Sequence, residues 1–262
     1  QISDAGYILS DGRRIRAYNL GYPVMSLAKD LLILSYAMRY QPDLIVWPLT
    51  LESFPYDKQL FPPILQQNPQ AVQALIEQYH LSLNPADSQL AQPSFWDRTL
   101  IGQRRNLADL VRLQLYGTMW AATGIDQDIP ASYTPRQEDL PADTSFHNLQ
   151  PPHLTAADLA FEVLKAGVNL AGKTPVLFVN EPMFVSQGKN SDLRYNFFYP
   201  RWAYDDYRRL MAEQSAANGW RYIDLWQAAD NTEFTNSAVH LTPRGENQFA
   251  RQLGKAILEI SR

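Results

Sequence analysis

Residues 13–20, RRIRAYNL, alternate charged and apolar positions, which predicts a short strand. The turn GYP follows. Ser26 then stands as N-cap before Leu27, Leu31, Leu34 and Met38, whose three- and four-residue spacing predicts a helix running to about Gln41. PDLIVWPL is a continuous apolar run closed by prolines, as expected of a strand buried on both faces. Strand, helix, strand within one short stretch implies parallel strands joined by a right-handed crossover.

The C-terminal half repeats this grammar. Residues 155–171 form an amphipathic pattern capped by Thr155 and broken at Gly172-Lys173, and TPVLFVNEP reads as another buried strand. Residues 201–218 predict a charged, aromatic helix ending before Gly219. WRYIDLW predicts a strand, and residues 243–260 predict the last helix. The alternation argues for an α/β fold with a three-layer, doubly wound parallel sheet. Residues 51–154 interrupt it with helical patterns (PPILQQNPQAVQALIEQYHL, WDRTLIGQRRNLADLVRLQLYGTMW) and a polar, proline-rich stretch to His153. They read as an insertion packing over the strand ends as a cap or lid. The α/β domain is thus composed of residues 1–50 and 155–262.

Composition narrows the function classes. A hydrophobic share of 45% in 262 residues suffices for one large core. The net charge of −4 and the absence of a basic run give no electrostatic case for a nucleic-acid partner. Without cysteine there are no disulfides, thiol nucleophiles or thiolate metal sites. No apolar run approaches the roughly 20 residues of a membrane span. The chain begins at Gln1 without an initiator methionine, so a signal peptide or anchor is expected among residues removed upstream.

In doubly wound sheets ligands bind beyond the carboxyl ends of the strands, which points to NLGYPVMS, WPLTLESFPYD, VNEPMFVSQGKN (with Asn180 and Glu181) and NSAVHLTPRG. None is a glycine-rich phosphate loop, so a nucleotide or flavin is poorly supported. His240 is set before a helix entrance in which Thr242 is the expected N-cap, Pro243 the first helical residue and Glu246 a capping partner. A rigid backbone suits a general base; it suits an incidental surface histidine equally well. His80, His147 and His153 read as structural or incidental. Four scattered histidines give no metal-ligand spacing, and neither metal nor cofactor is expected.

The blocks YNLGYPVMSLAKDLLIL, PDLIVWPLTLESF, TPVLFVNEP, YIDLW and NSAVHLTPRGENQFA resemble the SGNH (GDSL-type) hydrolase superfamily over nearly the whole chain outside 51–154. The C-terminal half also resembles extracytoplasmic bacterial acyl-transfer proteins of cell-wall modification. The resemblance implies a flavodoxin-like sheet, an extracytoplasmic location, and a serine esterase or O-acyltransferase acting on an acylated carbohydrate or other small ester. It gives His240 the general-base role and Val24 that of a backbone oxyanion donor. Glu52 falls where the family has an oxyanion asparagine; a carboxylate cannot donate there, whereas Thr50 could.

Other positions depart from the family. Asn236 and Ser237 stand where its aspartate is expected, with Asp224, Asp230 and Glu233 as substitutes. Ser26 is a helix cap, and the Gly-Asp-Ser block with the first, central strand is not visible; both are expected upstream of Gln1. The alternative is a catalytically degenerate SGNH-fold domain that binds a polysaccharide or protein partner. The aromatic residues Phe54, Tyr56, Phe61, Phe95, Trp96, Tyr116 and Trp120 fit sugar or acyl contacts, or simply a packed helical cap.

Overall fold

The computed structural model describes residues 12–92, 94–123 and 136–260. In chain order the main elements are α1 (Leu27–Ala37), β1 (Ile45–Leu49), α2 (Pro63–Gln66), α3 (Pro69–Tyr79) and α4 (Arg104–Thr123). They are followed by α5 (Phe161–Ala171), β2 (Val176–Asn180), α6 (Arg201–Asn218), β3 (Arg221–Asp224) and α7 (Pro243–Ile260). The strands form one parallel sheet in the order β1-β2-β3, with Ile45 opposite Val176, Leu49 opposite Asn180, and Asn180 opposite Asp224. This is an α/β fold compatible with a flavodoxin-like arrangement.

Strand alternation divides the core between two faces. Trp47, Leu49, Val176 and Phe178 join the main cluster with Leu27 and Leu31 of α1, Val163 and Leu164 of α5, and Tyr204, Tyr207 and Met211 of α6. Leu177 and Val179 face the other way, onto Leu253, Ala256 and Ile257 of α7. Helices thus cover both faces, and α1 packs beside α5. Gly167 of α5 lets the Trp47 ring approach: a Cβ there would lie 2.3 Å from the ring.

The helix signals act as predicted at α1 and shift at α5 and α7. Ser26 caps α1, its hydroxyl accepting from Lys29 N–H at 3.2 Å and donating to the Gln59 carbonyl at 2.8 Å. Thr155 and Asp158 form a capping box on a single 3₁₀ turn, and α5 starts after it. At α7, the Thr242 hydroxyl accepts from Gly245 N–H at 3.2 Å and meets the Glu233 carboxylate, so Glu233 rather than Glu246 supplies the acid.

β1 has a polar edge of unusual chemistry. Ile45 N–H donates to Pro175 and the Leu49 carbonyl accepts from Glu181, so alternate residues of β1 bond to β2. Val46 and Pro48 therefore direct their backbone groups outward, and Pro48 has no N–H to offer. No strand pairs with this edge among the described residues.

One expectation changes. Residues 13–20 form no strand beyond a bridge at Arg14. Tyr18 and Leu20 are exposed and only Ile15 packs on the α7 side, too little apolar burial to anchor a strand. Burial within 51–154 is uneven. Leu65, Val72, Ile76, Phe146 and Leu154 belong to the main core, whereas α4 has no buried residue. Among the described residues, no helix is long and apolar enough to cross a membrane.

Candidate functional site

The carboxyl ends of the three strands converge on a buried polar network. Asn180, fully buried at the end of β2, donates to Asp224 at 2.8 Å and to the Tyr204 hydroxyl at 3.1 Å, and accepts from Tyr207 at 3.2 Å. Arg208 completes the ion pair with Asp224 at 2.8 Å. Thr50, just past β1, shares a 2.6 Å hydrogen bond with the Tyr199 hydroxyl. Burial pushes the Tyr199 phenol above its ordinary value and leaves it a neutral donor. Thr50 and Asn180 thus each hold hydrogen bonds to buried tyrosines, Tyr199 and Tyr204, whose rings are in contact.

Glu181 lies one residue further on. Its backbone N–H continues the ladder to Leu49 at 3.0 Å, and its side chain is half-buried near Asp30 and Lys29 of α1. Desolvation first, then the Asp30 carboxylate, raise its pKa to about 7. Asp30 is itself raised by burial, although Lys29 sits 3.0 Å away and Trp47 Nε1 donates to it at 3.1 Å. The same Lys29 donates to the Tyr22 carbonyl at 2.9 Å, tying the turn before α1 to this corner. Within that turn Val24 has φ +71°, a left-handed conformation that a β-branched residue rarely adopts.

His240 stands on the loop between β3 and α7. Its carbonyl accepts from Thr235 N–H at 2.9 Å, and Phe234 bridges Leu241, so the backbone is pinned. The ring is exposed, with Nδ1 3.4 Å from Asn236 Oδ1; Nε2 has no partner among the described residues. Ser237 instead accepts weakly from Val239 N–H at 3.4 Å. The candidate carboxylates are committed elsewhere: Asp224 to Asn180 and Arg208, Asp230 to Gln248, Glu233 to Thr242 and Arg244. Ser26 is buried as a cap, its hydroxyl fully engaged.

Glu52 is the surprise. It is buried, pairs with Lys58, and lies 3.4 Å from Nε2 of His147, whose Nδ1 is 3.0 Å from Asp57. His147 opens a two-residue turn closed by reciprocal Phe146–Leu149 bonds and has φ +53°, a conformation for which histidine is enriched. These groups border an open cavity of about 290 Å³ lined by Glu52, Ser145, Phe146, His147, Arg194, Phe197 and Phe198. Phe198 also packs on the cluster of Phe184, Phe234 and Ala238 that holds Leu241, next to His240. A common apolar cluster thus links one cavity residue to the neighbour of His240.

His147, read from the chain as incidental, belongs to this cluster with partners 90 and 95 positions away. The local cue was LESFPYDK, which sets Glu52, Asp57 and Lys58 directly after a buried strand and obliges them to find partners. The aromatic residues bordering the cavity are Phe146, Phe197 and Phe198. Of those singled out in the insertion, Phe54 is core, Tyr56 bonds Glu162, and Phe61, Phe95, Trp96, Tyr116 and Trp120 are exposed. Comparison with protein-family models, curated proteins and solved structures finds no match for this chain.

Proposed function

We propose that the chain is an SGNH-like serine esterase or O-acyltransferase acting on an acylated carbohydrate or other small ester, with His240 as general base. The observation that carries this reading is the state of the His240 ring. Asn236 Oδ1 lies 3.4 Å from Nδ1, where it can accept only from the Nδ1–H tautomer, and in that tautomer the Nε2 lone pair is free to take a proton. A serine hydroxyl attacking the ester carbonyl would pass its proton to Nε2. The tetrahedral oxyanion then collapses, and the leaving alkoxide takes that proton back. The left-handed backbone at Val24 supports its assignment as an oxyanion donor, since strained residues cluster at such sites. The serine is assigned to a segment before Gln1 that would pair with the outer edge of β1. An extracytoplasmic location fits this chemistry.

One observation favours a non-catalytic binding domain instead: among the described residues no carboxylate meets His240, and Glu52 is held by Lys58 and His147. Hydrolysis of p-nitrophenyl acetate by the full-length protein decides between the two. With acyl transfer, His240→Ala lowers kcat by about 10²- to 10⁴-fold, the usual worth of a positioned base. Unchanged activity in that variant removes His240 from the role; no turnover by the parent protein leaves binding alone.

A further inference from the structure

The cavity between Glu52 and Phe197 is assigned no role by the acyl-transfer chemistry, yet its walls carry the two kinds of group a sugar ring needs. One wall is aromatic: Phe197, 37% exposed, lies against Phe198 with ring centroids 4.1 Å apart, and Phe146 stands beside His147. The other is polar and immobilised. Arg194 is 95% buried in the sense that only 5% of it is exposed, and its guanidinium is aimed by three backbone carbonyls, those of Asn196, Asp143 and Phe197. A guanidinium has five N–H donors, three of which these carbonyls occupy, and Arg194 lines the cavity. Glu52, 6% exposed, has both carboxylate oxygens fixed by Lys58 and His147 and keeps lone pairs for further donors. Ser145 is held by two hydrogen bonds to Asp143.

We propose that this cavity is a subsite for one pyranose unit of a glycan, the ring's C–H face on Phe197 and its hydroxyls shared between Glu52 and Arg194, with His147 holding the Glu52 carboxylate in place. Apolar walls with a few convergent, preorganised polar groups are the general form of a small-ligand site, and about 290 Å³ is at the small end of that range. Fixed donors and acceptors lose little entropy when a hydroxyl replaces water between them. Glu52 and Arg194 on one cavity supply both an acceptor and donors, the pairing that hydroxyl groups satisfy. A phosphate would meet the Glu52 carboxylate, which is repulsive. Phe198 and Leu241, the neighbour of His240, pack on the same apolar cluster of Phe184, Phe234 and Ala238. The inference rests on the acyl-transfer reading for the fate of the bound sugar but not for the binding itself.

The test is calorimetric titration of the full-length protein with cellotriose, chitotriose and trigalacturonic acid, none of which carries an ester. At least one binds with a Kd of roughly millimolar or tighter. Phe197→Ala, which removes the platform, and Ser145→Phe, which fills the cavity, each weaken it at least about tenfold, with thermal unfolding confirming the fold of each. If one variant fails to fold, the other decides. Absence of binding by all three, or binding that neither variant alters, overturns the proposal. Glycan binding without p-nitrophenyl acetate turnover removes the acyl-transfer reading alone; turnover without glycan binding removes this inference alone.

Discussion

Glu181 makes the folded chain sensitive to pH in a direction opposite to the common carboxylate. Its pKa rises from the ordinary 4.5 to about 7 because burial and the Asp30 carboxylate disfavour the charge. Between pH 4.5 and 7 the folded state therefore holds a proton that the unfolded state has released. With more protons bound in the native state, stability falls as pH rises through that window and is flat above it. Each tenfold change in proton affinity is about 1.4 kcal/mol, which gives about 3 kcal/mol for the whole interval. Solvent at the outer side of this half-buried group reduces that to about 2 kcal/mol. Glu181→Gln keeps the shape of the protonated acid, so it should leave stability at pH 4 unchanged and raise it at pH 8 by about 2 kcal/mol. Urea unfolding at half-unit steps from pH 4 to pH 8 measures both limbs. Asp30, raised in the same direction, leaves a residual slope in the variant. Parallel pH profiles for the two proteins, or a gain as large at pH 4 as at pH 8, would refute the argument.

Two further predictions concern backbone positions. Gly167→Ala drives a methyl into the Trp47 ring, so overpacking of about 2 kcal/mol should outweigh the gain in helix propensity; a melting temperature equal to or above the parent's contradicts this. Val24→Gly relieves a left-handed strain of about 1–3 kcal/mol against an entropy cost of about 0.5–1 kcal/mol. The variant should gain about 1 kcal/mol in urea unfolding, and a loss would show that the Val24 side chain contributes more than its backbone strain costs.

Much of the α/β frame was legible because its signals are local. Ser26 and Pro243 mark helix starts through groups within a few residues, and IVWPL and VLFVN are apolar enough to demand burial. RRIRAYNL misled because alternation alone does not make a strand: it offers Ile15 to the core while Tyr18 and Leu20 remain in solvent. The Glu52–His147–Asp57 cluster was illegible for the opposite reason. Its members are unremarkable locally and acquire meaning only when the 146–149 turn folds back onto the end of β1. Thr50 and Asn180 stood out only as polar groups at strand ends; their hydrogen bonds to Tyr199, Tyr204 and Asp224 join residues 24 to 149 positions apart and have no local signal.

Pro48 has a consequence for how this protein behaves in a crowd. An open strand edge is a template on which other chains can nucleate β-aggregates. Among the described residues no strand covers the outward edge of β1, whose ladder is interrupted at Pro48, so an incoming backbone meets the Val46 N–H and then a gap. A promiscuous strand gains little by docking there, and only a segment whose side chains also pack against the neighbouring surface would be held. The same residue that weakens the edge as a backbone template therefore makes it selective, leaving colloidal stability and partner choice dependent on one missing hydrogen.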